Sequence, residues 1–230
     1  MLVVLGALGI VTLVMTAFGS PSAPPAPLLP TSSALALAAS QPRPEKVATV
    51  SNLGIQLPVA QETVTAIGFH GSTTGGLALH PLGRQINEGL LARLWHKISG
   101  SPRDARAWYQ LDGGDGPSTA VLDVGAPPDT DVYSPVDGTI TSISDTIVDG
   151  RKHGVRIDIR PTASPSVIVS VMHVNPDPAL ALGSAVLAAS TKLGTVANIA
   201  SVERQALAEH TNDNGDNVAI EVHPAPTQLP

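Results

Sequence analysis

The sequence contains no cysteine, which excludes disulfides, thiolate metal sites and a cysteine nucleophile. Charged residues make up only 14% of the 230 residues, and Lys+Arg 13 against Asp+Glu 19 gives a formal net charge of -6. Nucleic acid is not expected as a partner, because phosphate binding requires a clustered basic surface. A chain of this length predicts one domain of ordinary size with appendages.

No Lys or Arg precedes Arg43, and residues 1–18 form an uncharged apolar run. About 20 such residues cross a bilayer as a helix, so this segment predicts a membrane anchor helix. Residues 17–19 also have the small-residue spacing of a signal peptidase site, which makes a cleaved signal peptide over residues 1–19 the alternative. Residues 20–61 follow, beginning with a stretch rich in Pro, Ala and Ser, and predict a tether. This layout indicates an exported, extracytoplasmic protein, either secreted or held at the membrane through residues 1–18.

Residues 62–108 predict a short α/β extension of the main domain. The segment "ETVTAIGFHG" has the alternation of a strand, and "GRQINEGLLARLWHKISG" has apolar residues at helical spacing. The predicted helix is amphipathic, and its apolar stripe is expected to pack on the main domain. His70, His80 and His96 are too scattered along the sequence to indicate a metal site.

Residues 109–224 predict short antiparallel strands joined by turns, followed by a tail over residues 225–230. In "SVIVSVMHV", strict alternation would place His173 on one face with Val167, Val169 and Val171. The segment "IASVERQALAEH" predicts a short helix on a loop, and "DNVAIEVH" predicts the last strand.

The order of motifs in this region resembles the lysostaphin or LytM type of zinc metallopeptidase, a family that cuts peptidoglycan cross-links. The pieces that carry the resemblance are the hairpin "PDTDVYSPVDGTI" at residues 128–140, "VMHV", "GSAVLAASTKLGTV" and "NVAIEV". The resemblance implies a mainly β, LytM-like domain with the duplicated hybrid motif fold, preceded here by the extension and the apolar helix.

The resemblance also implies which residues would hold zinc: the His and Asp of an H-x-G-x-D motif and the second His of an H-x-H motif. Asp123 keeps the ligand carboxylate and His173 keeps the catalytic imidazole, but Thr119, Asn217 and Ala219 stand where histidines are expected. A catalytic zinc needs about three protein ligands and a water. We therefore expect that zinc has been lost, that no cofactor is bound, and that these residues are only remnants of a catalytic and metal site.

Alternation along the last strand puts Asn217, Ala219, Glu221 and His223 on one face. With Asp123 and His173, they are the candidate lining of a groove. His223 lies roughly 13 Å along the strand from position 219, at about 3.3 Å per residue, so it cannot replace a ligand there. A relocated metal site built from Glu221, His223 and a loop histidine such as His210 stays open as an alternative. In the plainer interpretation, Asp123 caps a turn, His173 belongs to the core, and Glu221 and His223 are ordinary strand residues.

The expected function is that of a catalytically inactive LytM-type domain. It would bind peptidoglycan peptide or a cell-wall hydrolase in the old substrate groove, with an extended segment pairing to an exposed strand edge. One alternative is an active peptidoglycan metalloendopeptidase with a rearranged metal site. Another is a non-enzymatic adaptor, because "SPVDGTI" also resembles the biotinyl/lipoyl-like hybrid motif.

Overall fold

The computed structural model describes residues 41–87 and 106–226, and this part of the chain is almost entirely β-structure. Two short 3-10 helices, Gln61–Thr63 and Ala206–His210, are the helical elements within these residues. The strands are β1 (Lys46–Val50), β2 (Leu53–Gln56), β3 (Ile67–His70), β4 (His80–Pro81), β5 (Arg84–Gln85), β6 (Ala107–Gln110), β7 (Val121–Gly125), β8 (Asp131–Tyr133), β9 (Gly138–Val148), β10 (Arg151–Pro161), β11 (Val167–Pro176), β12 (Ala185–Val186), β13 (Lys192–Val196) and β14 (Asn217–Pro224). The prediction of a mainly β fold is confirmed.

The described strands form two sheets. The larger has the order β12-β9-β10-β11-β14-β7-β3-β6-β5, with β13 joined to β11 and β8 joined to β13. Its pairs are antiparallel except β3 with β6 and β6 with β5, which are parallel. The smaller sheet has the order β2-β1-β4. The fold is therefore mixed at one edge and antiparallel elsewhere.

One hydrophobic core joins the two sheets. Ile55 from the small sheet is fully buried in the same cluster as Phe69, Ile157 and Ile220 from the large one. The predicted tether over residues 20–61 is therefore too long, because residues 46–59 supply two strands and part of this core. The apolar residues of this segment alternate, but in the sequence alone the Pro-rich stretch before them favours a tether. A fragment that began at Glu62 would lose this part of the core.

The predicted extension, residues 62–108, is part of the main sheet. Strand β3 pairs with β7, and β6 pairs with β3. The helix predicted from Gly83 does not begin there, because Arg84–Gln85 is a strand paired with β6. Residues 88–105 lie outside the described residues, as do the predicted apolar helix at residues 1–18 and residues 227–230. Within the described ranges, no helix combines the length and the apolar character needed to cross a membrane.

A bulge in β11 changes which face His173 occupies. Ile157 pairs with Val171 and Val155 pairs with Val174, so β11 carries one more residue than β10 across this interval. His173 has a φ of 61°, which accommodates the extra residue. Val171 and Val174 are both fully buried, whereas His173 is turned out of the core. The prediction that His173 shares a face with the valines of β11 is wrong, because strict alternation does not survive a bulge.

Gly194 in β13 is a position where the fold requires glycine. It has a φ of 155°, and a Cβ placed there would collide with the carbonyl oxygen of Asn175. We expect Gly194→Ala to lower the free energy of unfolding by about 2–3 kcal/mol, since overpacking against backbone cannot be relieved by a rotamer change. Urea unfolding measures this loss.

Gly150→Ala is the matched control. Gly150 also has a positive φ, 75°, but its added Cβ would meet nothing within 4 Å. We expect it to cost about 1 kcal/mol, the conformational term alone. Equal losses for the two variants would contradict the steric argument.

Candidate functional site

The site is built on four neighbouring strands, β3, β7, β14 and β11. Asp123 on β7 lies opposite Gly68 on one side and Ala219 on the other. One step along the same face, Val121 lies between His70 and Glu221. The intervening residues of these strands, such as Leu122 and Ile220, face the core. Because side chains alternate along a strand, the register that buries the apolar set places the polar set together on the opposite face.

A cavity of about 380 Å³ opens on this polar face, within the range of ligand pockets. Its rim consists of residues 71, 73, 74, 112–114 and 203–206. The polar side chains of its floor come from four strands and are His70, Asp123, His173 and Glu221, with the methyl group of Ala219 among them.

His70 and Asp123 form an ion pair in the cavity, with Nε2 of His70 3.2 Å from Oδ2 of Asp123. The other ring nitrogen, Nδ1, lies 2.6 Å from the carbonyl oxygen of Gly71. Both neighbours are acceptors, so the ring satisfies both only when each nitrogen carries a proton. The hydrogen bond to Asp123 raises the pKa of His70, assisted by the charges of Asp123 and Glu221 and opposed by burial. The geometry therefore favours the imidazolium form of His70 beside Asp123, a residue that is only 7% exposed.

Glu221 is held by the loop that follows β3. Thr74 Oγ1 lies 2.9 Å and 2.8 Å from its two carboxylate oxygens, and Ser72 Oγ donates to Oε1 as well. The backbone N–H groups of Thr74 and Gly76 in turn donate to Ser72 Oγ, and each N···O distance is 3.0 Å. A Cβ at Gly76 would contact the Glu221 side chain, so the loop packs directly on the carboxylate. These donors stabilise a buried charge that would otherwise be costly.

His173 is oriented by Asn217, whose own amide is fixed by its neighbours. Nδ2 of Asn217 donates to Gln205 Oε1 at 3.1 Å and to the carbonyl oxygen of Gly215 at 3.0 Å. Its Oδ1 therefore faces Nδ1 of His173, at 3.0 Å. An amide oxygen only accepts, so the proton of neutral His173 is on Nδ1. Nε2 then keeps a free lone pair.

The structure brings together some of the residues predicted for the groove and leaves others out. Asp123, His173 and Glu221 line the cavity, and Asn217 lies directly behind His173. His223 is not part of the lining, although its Nε2 is 3.1 Å from Glu221 Oε2. Thr119 is also outside the lining, and its hydroxyl donates to the carbonyl oxygen of Leu79 at 2.7 Å.

The relocated metal site considered from the sequence is not assembled. His210 stacks on Tyr109, with ring centroids 4.3 Å apart, in a different cavity from Glu221. It therefore cannot join Glu221 and His223 around one ion. The residue that sequence reasoning missed is His70, which is 53 positions from Asp123 in the chain (123 minus 70). Its alternation with the core residues Ile67 and Phe69 in β3 was the available signal, but only the β3–β7 register reveals its partner.

The donor set does not fit the zinc implied by the family resemblance. In the described part of the chain, no group of three or more His, Asp and Glu side chains is placed to hold a metal ion. Asp123 faces Ala219, which has no donor atom, where a ligand would be needed. His70 has both nitrogens directed at acceptors, and the Thr119 hydroxyl is directed at backbone. Fewer than the roughly three protein ligands of a catalytic zinc are thus available.

No protein-family model matches the chain, and no curated protein matches it. Among solved structures, one titled "A Novel M23 Metalloprotease Pseudoalterin from Deep-sea" aligns with 78% of this chain and 75% of its own. The two are 17% identical, and the TM-score is 0.39. A TM-score this low does not establish a shared fold, so the similarity decides neither the family nor the activity of this chain.

The ion pair in the cavity predicts a specific dependence of stability on pH. The pKa of folded His70 is raised above its unfolded value of about 6.5. The stabilisation is therefore fully present below the unfolded pKa and is lost as pH rises through the folded pKa. We expect the free energy of unfolding to fall with pH above about 6.5 more steeply for the wild type than for His70→Gln, measured by urea unfolding at a series of pH values. His80→Gln, which removes an exposed histidine, should keep the wild-type dependence; a His70→Gln curve parallel to the wild type would contradict the assignment.

The register at Ala219 predicts where a metal ligand could be restored. Directly opposed residues on antiparallel strands have Cβ atoms about 4.5–5.5 Å apart, so Ala219→His would place an imidazole beside Asp123. A zinc ion there would displace the proton from Nε2 of His70, so that Asp123, His70 and the new histidine supply about three ligands. We expect the wild type to retain no stoichiometric zinc through gel filtration and the A219H variant to retain about one equivalent, by elemental analysis. Ala185→His, at an exposed position of β12, should retain none. A wild type that carries one equivalent, or a variant that carries none, would contradict this reading of the site.

Proposed function

We propose that this chain is an exported LytM-type domain that binds a cell-wall peptide, or a cell-wall hydrolase, without cleaving it. The observation that carries the proposal is the pairing of Asp123 with His70 opposite Ala219. The carboxylate that would be a metal ligand in the resembled family has a side-chain cation as its partner. A peptidase of that type depends on metal to activate water, whereas a binding domain needs only a shaped and polar cavity.

The polar groups of the cavity are held in place, as in a preformed binding site. The carboxylates of the cavity floor, Asp123 and Glu221, are buried and have hydrogen-bonding or charged partners, and two side-chain networks, one at Glu221 and one at His173, hold the polar groups in fixed positions. Such networks restrict side-chain motion and so reduce the entropy lost when a ligand binds. A site that had only lost its metal ligands would not require a loop that packs on Glu221 and donates hydrogen bonds to it.

The mode of binding differs from the strand pairing expected from the sequence. Each strand beneath the cavity already has neighbours on both sides: β7 lies between β3 and β14, and β11 lies between β10 and β14. An extended segment therefore cannot add to the sheet at this point. Recognition would come from side chains of the floor and from the rim residues 71, 73, 74, 112–114 and 203–206 instead.

The cellular setting is proposed from the sequence. The apolar run over residues 1–18 would deliver the chain to the membrane or through it, and the Pro-rich stretch after it would act as a spacer. Because the fold begins near Lys46, this spacer is shorter than the tether first predicted. A module carried in this way would reach the cell wall or the enzymes that act on it.

Cosedimentation of the full chain with purified peptidoglycan tests the proposal. We expect the chain to pellet with the wall and to release no soluble fragments from it. Ala206→Trp places a large side chain on the exposed rim of the cavity, and it should weaken binding by about tenfold, or about 1.4 kcal/mol. The same substitution at the exposed Ala185 should leave binding unchanged.

A wall hydrolase as the partner would give a different result. The chain would then fail to pellet with bare wall and would pellet when the hydrolase is added, again with sensitivity to Ala206→Trp. Release of wall fragments that a chelator abolishes would overturn the inactive assignment and favour a rearranged metal site. Binding untouched by Ala206→Trp would remove the cavity as the binding surface.

A further inference from the structure

We propose that the cavity recognises a positively charged primary amine, such as the ammonium group of a lysine-like side chain on its ligand. The inference rests on the proposed function, because it names the chemistry of the ligand that the cavity would hold. It follows from a count of donors and acceptors: the charged donors that line the cavity are already engaged, and several acceptors are not.

The two cationic side chains of the lining are His70 and Arg204. His70 directs one ring nitrogen to Asp123 and the other to the carbonyl oxygen of Gly71. Arg204 is turned to Glu209, with Nη2 3.0 Å from Oε1, and Glu209 is not part of the lining. His70 is therefore not free to bind an anionic group of a ligand, and the exposed Arg204 guanidinium is drawn toward Glu209, outside the lining.

Acceptors of three kinds face the same space. In the neutral form of His173, Nε2 carries the lone pair, because Nδ1 donates its proton to Asn217 Oδ1. Oδ1 of Asp123 has no hydrogen-bond partner among residues 41–87 and 106–226, since the ion pair uses Oδ2. Asp123 is only 7% exposed and lines the cavity, so its unused oxygen is an acceptor that a ligand in the cavity can reach.

The rim adds charge that nothing nearby neutralises. Asp112 and Glu203 lie on two different rim segments, and in the described part of the chain neither carboxylate has a hydrogen bond or an ion pair. Together with Asp123 and Glu221, they give the lining four carboxylates. With both cations engaged, the potential in the cavity is negative, which attracts a cation and speeds its entry.

An ammonium fits this arrangement better than a metal ion does. Its three N–H groups can each donate to a separate acceptor at about 2.7–2.9 Å, so the acceptors need not converge on a point. Zinc or calcium requires ligands that converge within about 2.0–2.6 Å. Among the described residues, no group of three His, Asp and Glu side chains does so.

Isothermal titration of the full chain with a pair of peptides tests the inference. The probes are acetyl-Gly-Lys-Gly-amide and the same peptide with its lysine Nε acetylated, which removes the charge and keeps most of the shape. We expect the charged peptide to bind at least roughly tenfold more tightly, because charge-assisted hydrogen bonds are the stronger class. The preference should shrink as salt is raised, since the rim charges are exposed to solvent.

Variants then locate the preference. The double change Asp112→Asn with Glu203→Gln affects two exposed rim residues, so folding should be unharmed, and we expect it to weaken the charged peptide about fivefold. It should leave the acetylated peptide unchanged. Asp149→Asn removes one negative charge at the exposed turn between β9 and β10. It should change the affinity for neither peptide.

Each other outcome overturns the inference and leaves the proposed function to its own assay. Equal affinity for the two peptides would show that charge is not recognised. Binding of neither peptide would remove the amine as the ligand group, while cosedimentation with peptidoglycan would still decide whether the cavity binds wall. Tight binding of zinc or calcium chloride that competes with the charged peptide would assign the acceptors to a metal ion instead.

Discussion

The site depends on the register of β7 between β3 and β14. This strand is paired on both sides and buried along its length, so its alternation is fixed by the core. Leu122 and Val124 face the apolar cluster, and Asp123 must then face the cavity. A slip of one residue would bury the carboxylate in the core and expose two apolar side chains. The free energy of core burial therefore positions the polar group.

Burial of carboxylates on this face creates an electrostatic requirement that the neighbouring elements satisfy. Asp123 is compensated by the imidazolium of His70, and Glu221 by the hydroxyls of Ser72 and Thr74. These three groups come from β3 and the loop after it, and His223 of β14 adds a contact, with Nε2 3.1 Å from Glu221 Oε2. The segment of β3 and its loop therefore supplies donors to the carboxylates of β7 and β14. In a metal centre a bound cation would neutralise the buried carboxylate. Here His70 pairs with Asp123 instead, so the carboxylate is compensated without a metal ion.

The cavity has more unused acceptors than unused donors. The proposed preference for an ammonium group rests on this imbalance. Internal pairing engages the positive charges, because His70 contacts Asp123 on the neighbouring strand β7 and Arg204 contacts Glu209 five residues later in the chain. Among the remaining acceptors, His173 is held by Asn217, whose amide is fixed by Gln205 and Gly215 and sets the tautomer of the neutral ring. A ligand gains most when it supplies the donors that the protein lacks.

The sequence by itself determined the β class of the domain, the approximate positions of β7 to β14, and the absence of the histidines at Thr119 and Ala219. These follow from alternation, turn residues and residue identity, all of which are local. Only the tertiary structure decided that His70 faces Asp123, that residues 46–59 belong to the core, and that His173 leaves the valine face. The first two depend on pairing between distant segments, and the third depends on a bulge. None of these has a local signature, because strand partners and extra residues in a ladder are selected by packing over the whole sheet.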